Sequence, residues 1–310
     1  MRHAPFALIA GSLLATSACV PPPPPEAPQQ IVWFIADGLR QDALGCLGAP
    51  NNPSPAIDGL ARIGTRFEHV IAASSQDVPA LGSMLTGTLP RVHGARTWGD
   101  ASAPLAEHVP TLPQVLAESG LRRLAVSSGP FSDPQLGFAR GFERYEYSAT
   151  PWTADETVTR ALELLSEHRD ESLLLVVHFV DLHAPWTPDA DRAQLFRRDQ
   201  QRAPLAVTLA DCVAGEVDAQ RLDEVRRAYQ ASVRCVDDAI HRVLEALRHY
   251  DRYDDALLVV SASHAERLGE RSAFGHSAQL TTGALTVPLV LAQPRVTPKR
   301  EHVPEQVRVV

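Results

Sequence analysis

The sequence predicts an α/β fold: a mostly parallel central sheet with helices on both faces. Three observations predict it. Continuous apolar runs of strand length recur along the chain, as strands buried on both faces require. Helical patterns separate them, and strands alternating with helices build crossover units. The composition also fits a real core. The chain has 310 residues, 45% hydrophobic and 21% charged, enough for one large α/β domain or two ordinary ones. Its formal net charge of −8 argues against non-specific nucleic-acid binding, which needs a dense positive field.

Taken in order, the first element is a leader. Arg2 and His3 precede an apolar run over residues 6–14, and small residues lead to Cys19. This is the pattern of a secretory signal peptide, too short to span a bilayer. The stretch TSAC is similar to a lipoprotein cleavage box, which would make Cys19 the lipidated first residue. Ordinary cleavage beside an incidental cysteine is the alternative. Prolines fill residues 21–25 and recur at Pro28, so residues 20–29 read as a stiff spacer. The expected organisation is residues 1–19 as leader, 20–29 as linker and 30–310 as one α/β domain, exported to the cell envelope and held at the membrane through lipid on Cys19.

Strands are expected over residues 30–36, 123–127, 173–179 and 256–261, with a fifth over 287–292 whose proline suggests a sheet edge. Helices are expected over residues 56–63, 112–119, 154–168 and, with apolar residues in steps of three and four, 222–247. Residues 184–218 read as a long surface loop. An exported chain permits a Cys212–Cys235 disulfide; separate buried thiols are the alternative. In sheets of this kind ligands sit beyond the carboxyl ends of the strands. Asp37, Asp181 with His183, and Ser263 with His264 follow three different strands, which directs carboxylates and imidazoles to one edge.

At these positions the chain resembles the sulfatase family of the alkaline-phosphatase-like superfamily. The resemblance rests on IVWFIADGLRQDALGCLG (31–48), SPAIDGLARIGTRFEHVIAASS (54–75), VPALGSMLTGTLPRVHG (78–94), VDLHAPW (180–186) and SHAERLGERSAFGH (263–276), in the family's order. It implies an alkaline-phosphatase/sulfatase-like fold, here without the usual C-terminal subdomain, and hydrolysis of sulfate or phosphate esters. It also implies a divalent metal (Ca, Mg or Zn) bound by Asp37 and His264. His93, His183 and His276 would contact the substrate group.

The departures from the family pattern are chemical. Aligned back from Leu85-Thr86-Gly87, the position of the attacking group is Asp77, where no formylglycine can form. Attack by a carboxylate on sulfate would give a high-energy mixed anhydride. Ser263 stands where the family has a metal-binding Asp, and Gly38 where many members have a second one. Asp77 therefore reads as a relocated metal ligand or a base. The expectation is a sulfatase-like envelope protein with lost or strongly altered catalysis. The alternative is an active metal-dependent hydrolase in which water attacks. The partners implied are a sulfate- or phosphate-ester ligand and a membrane, and no nucleic acid.

Overall fold

The computed structural model describes residues 29–98, 101–197, 218–270, 273–276, 279–296 and 301–310. Twelve strands are described: β1 (Gln30–Ala36), β2 (Thr65–Ala72), β3 (Arg96–Trp98), β4 (Ala101–Ala103), β5 (Arg122–Ser128), β6 (Arg144–Ser148), β7 (Leu173–Phe179), β8 (Ala256–Ser261), β9 (Arg267–Glu270), β10 (Ala273–Gly275), β11 (Leu289–Ala292) and β12 (Glu301–Val309). The helices are α1 (Pro55–Ile63), α2 (Asp77–Thr86), α3 (Pro90–His93), α4 (Leu112–Val115), α5 (Ala154–Glu167), α6 (Ala190–Leu195), α7 (Ala219–His249) and α8 (Thr282–Leu285).

Eight strands form one sheet in the order β12-β2-β11-β8-β1-β7-β5-β6. All run parallel except β11, which is antiparallel to both neighbours. β1 lies in the middle, paired with β7 and β8. Period-two alternation sends its side chains to two cores. Val32, Phe34 and Ala36 pack under α1, α5 and α7, and Ile35 packs under α2 with Val78, Leu81 and Leu174. The expected mostly parallel sheet with helices on both faces is thus what forms.

The predicted strands and helices appear within a few residues of their expected bounds, with one correction. The run over 287–292 is not an edge strand: β11 lies between β8 and β2. Pro288 falls just before the ladder, which opens at Leu289 against Ser261, so its missing N–H costs nothing. The edges belong to β6 and β12, and β12 carries Pro304 at a break in register between Val303 and Gln306, a tolerated place for proline. Strands β2, β6 and β12 have mixed polar sequences and no apolar run to announce them. The expected loop 184–218 contains α6, whose N-cap Asp189 accepts from Asp191 N and Arg192 N. Residues 198–217, and with them Cys212, lie outside the described residues, as do the leader, Cys19 and most of the linker. No helix among the described residues is long and apolar enough to cross a membrane.

Candidate functional site

Asp77 is the first residue of α2 and is buried. Three imidazoles from separate loops surround its carboxylate. His183 follows β7, His264 follows β8, and His276 follows the β9–β10 hairpin. His276 Nε2 lies 3.0 Å from Asp77 Oδ2, His183 Nε2 3.1 Å from Oδ1, and His264 Nε2 4.0 Å from Oδ1. One donor atom from each of the four residues lies within 4.8 Å of the others.

The outer ring nitrogens are all engaged. His183 Nδ1 donates to Val180 O at 3.1 Å, His264 Nδ1 lies 2.9 Å from Ser263 Oγ, and His276 Nδ1 lies 2.5 Å from Glu266 Oε1. Each ring is therefore held from behind: Nε2 of His183 and of His276 turns towards Asp77, and Nε2 of His264 lies 3.8 Å from Glu266 Oε1 and 4.0 Å from Asp77 Oδ1. Burial alone would raise the Asp77 pKa, but His264 and His183 outweigh it and hold the carboxyl well below the usual range. Burial likewise opposes the charge on the two rings that reach solvent. The Asp77 carboxylate overcomes it at His183, pushed up to about 9. Asp77 and Glu266 together overcome it at His276, pushed up to about 10. Burial raises Glu266 as well, but its hydrogen bonds with His264 and His276 and the nearby charge of His183 bring it down to about 2.

Asp37 is not one of the converging donors. Its Oδ2 lies 2.6 Å from His178 Nε2, and its Oδ1 accepts from Ser263 Oγ. His178 Nδ1 in turn lies 2.6 Å from Ser127 Oγ. The result is a buried chain running Ser127–His178–Asp37–Ser263–His264. Both Asp37 oxygens face hydrogen-bond donors, and the four converging donor atoms of Asp77, His183, His264 and His276 do not include one from Asp37. Asp37 stands behind His264 and orients it through Ser263.

His93 is a second correction. It is buried against α2, with Nε2 3.0 Å from Ser83 Oγ and Nδ1 accepting from Ala95 N. Gly82 makes the room, since a Cβ there would lie 2.7 Å from the His93 ring. His93 thus packs beneath the helix and does not reach Asp77. Asp181, which follows β7, also turns away, accepting from Ala154 N at 2.5 Å at the start of α5. Two functional residues escaped the sequence reading. His178 sits inside the apolar run of β7, and Glu266 lies two residues past His264. The departure at Gly38 has a steric reason: φ is +82°, and a Cβ there would approach Glu266 Cγ to 3.0 Å. Glu266 fills the space that a side chain at position 38 would need.

The site opens into a cleft of about 580 Å³ lined by Gln76, Asp77, Thr97, Asp133, Gln135 and His276, among others. No Lys or Arg is among its described lining residues.

A fold of this topology, with polar side chains gathered where β1, β7 and β8 end and at the head of a buried helix, belongs to the alkaline-phosphatase-like class. The family model described as Sulfatase matches residues 29–309, and the chain belongs to the sulfatase family. It is 21% identical to an arylsulfatase of Clostridium perfringens (strain 13 / Type A), across 79% of this chain and 64% of that one. It is 23% identical to a choline-sulfatase of Rhizobium meliloti (strain 1021), across 79% of this chain and 59% of that one. It therefore spans about three-fifths of the length of these curated relatives. In three dimensions it is similar to the phosphonate monoester hydrolase of Agrobacterium radiobacter, with a TM-score of 0.74 at 19% identity, covering 91% of this chain and 71% of that one. A structure of BT4656 in complex with its substrate D-glucosamine-2-N,6-O-disulfate also scores 0.74, at 16% identity, covering 91% and 74%.

Proposed function

We propose that this chain is an envelope protein of the sulfatase family that has lost the covalent ester-cleaving cycle and keeps its cleft for a sulfate- or phosphate-ester ligand. The observation that carries this reading is the state of Asp77. At the head of α2, where a helix N-terminus favours an anion, stands a fixed carboxylate ringed by three imidazoles. A carboxylate held well below its usual pKa is a weak nucleophile and a weak base. Among the described residues the cleft also lacks the Lys or Arg that would steady a transferring sulfuryl or phosphoryl group. The relatives support the ester ligand class, since their names describe action on sulfate and phosphonate esters.

A second reading, hydrolysis by an attacking water, is favoured by one feature. Glu266 Oε2 is buried without a hydrogen-bond partner, which leaves an acceptor oxygen for a water beside the imidazoles. The test is the full chain with chromogenic aryl sulfates, aryl phosphates and aryl phosphonates, each with Ca²⁺, Mg²⁺, Mn²⁺ or Zn²⁺. No turnover above the metal blank is expected. Turnover that Asp77→Ala abolishes would overturn the first reading in favour of the second. The leader and the proline-rich spacer support attachment at the membrane by lipid on Cys19. Fatty-acid labelling of the mature chain is expected, and its persistence in Cys19→Ala would refute the anchor.

A further inference from the structure

We propose that Asp77, His183, His264 and His276 form a four-ligand site for a borderline divalent metal of the zinc and cobalt class, in place of the cation site expected on Asp37. This inference rests on the reading that Asp77 is a fixed carboxylate and not an attacking group. Four observations carry it.

The first is spacing. Tetrahedral zinc holds its nitrogen ligands at about 2.0–2.1 Å, which places neighbouring ligand atoms about 3.3 Å apart. His183 Nε2 and His264 Nε2 are 3.3 Å apart, and all four donors fall within 4.8 Å. A small inward movement of the side chains closes the set. The second is orientation. With its Nδ1 anchored to Val180 O, Ser263 Oγ or Glu266 Oε1, each ring has its Nε2 aimed at one point. A carbonyl, hydroxyl or carboxylate on the far nitrogen is what sets the tautomer of a metal-binding histidine. The third is Asp77 Oδ1, which is buried 3.1 Å from His183 Nε2 without a well-aligned hydrogen bond. The fourth is donor chemistry. Three imidazoles and one carboxylate suit zinc and its neighbours, whereas Ca²⁺ and Mg²⁺ select oxygen sets.

The replacement of a family Asp by Ser263 acquires a purpose on this view. The hydroxyl receives the His264 Nδ1–H and passes its own hydrogen to Asp37, so the former ligand position becomes a support for the new ligand. The competing arrangement is a metal-free cluster in which protonated His183 and His276 pair with Asp77 and Glu266.

The experiment uses the full chain, stripped with chelator and then offered Zn²⁺, Co²⁺, Ca²⁺ or Mg²⁺ separately. Elemental mass spectrometry after gel filtration gives the stoichiometry, and visible absorption reports Co²⁺ geometry. The expected result is near one Zn²⁺ or Co²⁺ per chain, resistant to millimolar Ca²⁺, with the intense visible bands of four-coordinate Co²⁺. His264→Ala is expected to remove it, and Asp37→Asn to weaken it about 10- to 100-fold as a positioning residue. His241→Ala, exposed on α7, should change nothing. Thermal melting of the unaltered chain guards against variants that fail to fold: Zn²⁺ should raise the midpoint and Mg²⁺ should not. Substoichiometric zinc, equal uptake of Ca²⁺, or uptake unaffected by His264→Ala overturns the proposal. Zinc bound without ester turnover sustains both readings. Turnover by the zinc-loaded chain overturns only the loss of catalysis. Neither zinc nor turnover overturns only the metal site.

Discussion

Asp37→Ala separates two roles for a buried carboxylate. The substitution removes the acceptor for His178 Nε2 and for Ser263 Oγ, both of which are almost fully buried. Each of the two buried donors left without a partner costs about 1–3 kcal/mol. Together they cost about 2–6 kcal/mol, with about 4 kcal/mol as the middle of that range. Unfolding about 280 residues releases about 0.6 kcal/mol/K near the midpoint, so the melting temperature should fall by about 7 °C. The assay is thermal unfolding followed by circular dichroism in excess chelator. If Asp37 were instead a ligand in an empty cation site, removing it would relieve charge repulsion, and the midpoint would hold or rise. Asp37→Asn keeps one acceptor oxygen and should fall between the two. A midpoint for Asp37→Ala within about 1 °C of the parent chain would refute the supporting role.

Other expectations rest on buried groups away from the site. Asp237 on α7 accepts from Ala56 N and Ile57 N at 2.9 Å each, so Asp237→Ala should cost about 2 kcal/mol as a lost helix cap, measured by denaturant unfolding. Burial pushes the Asp237 carboxyl up to about 7, with Asp238 raising it further and Arg234 opposing. The folded chain thus holds that proton more tightly than the unfolded one. The stabilisation is full below about pH 4 and is lost as pH rises through about 7, and Asp237→Asn should flatten that part of a midpoint-against-pH curve. The Tyr229 hydroxyl donates to Gly38 O at 2.7 Å and accepts from Arg40 N at 2.9 Å; Tyr229→Phe should therefore cost about 1–3 kcal/mol in the same unfolding assay. Burial pushes the thiols of Cys46 and Cys235 up to about 12. Timed alkylation at pH 8, read by peptide mass spectrometry, should find both at least about a hundredfold slower than an exposed thiol.

The fold was legible in the sequence where burial on both faces wrote an unbroken apolar run, as in β1, β7 and β8. It was illegible where a strand had one wet face or an edge, as in β2, β6 and β12. For β11 the proline was read as the sign of an edge strand, but it stands one residue before the first pair and leaves the ladder intact. At the site, Asp77, His183, His264 and His276 were legible as strand-end and helix-start residues of a known pattern. The role of Asp37 was not. It depends on the register of β1 against β7, which sets His178 opposite Ile35 and so within reach of the carboxylate two residues on. His93 was misplaced because nothing in a linear reading says that Gly82 leaves a hollow for a ring. Glu266 carried a weak signal, an acid two residues past a strand-end histidine, and its meaning emerged only with Gly38 beside it.

The central position of β1 has a consequence for how the chain is made. Gln30 pairs with Leu173 on one side and with Ala256 on the other, so the earliest strand to leave the ribosome waits for the latest of its two neighbours. Pairing over such separations makes loop closure expensive and folding slow. The nascent chain should therefore stay open until most of it has been synthesised. Protease protection in a series of ribosome-held chains of increasing length should appear only once β8 has emerged. Protection of β1 and β2 before that point would mean that the amino-terminal third folds without the partners that enclose it at the end.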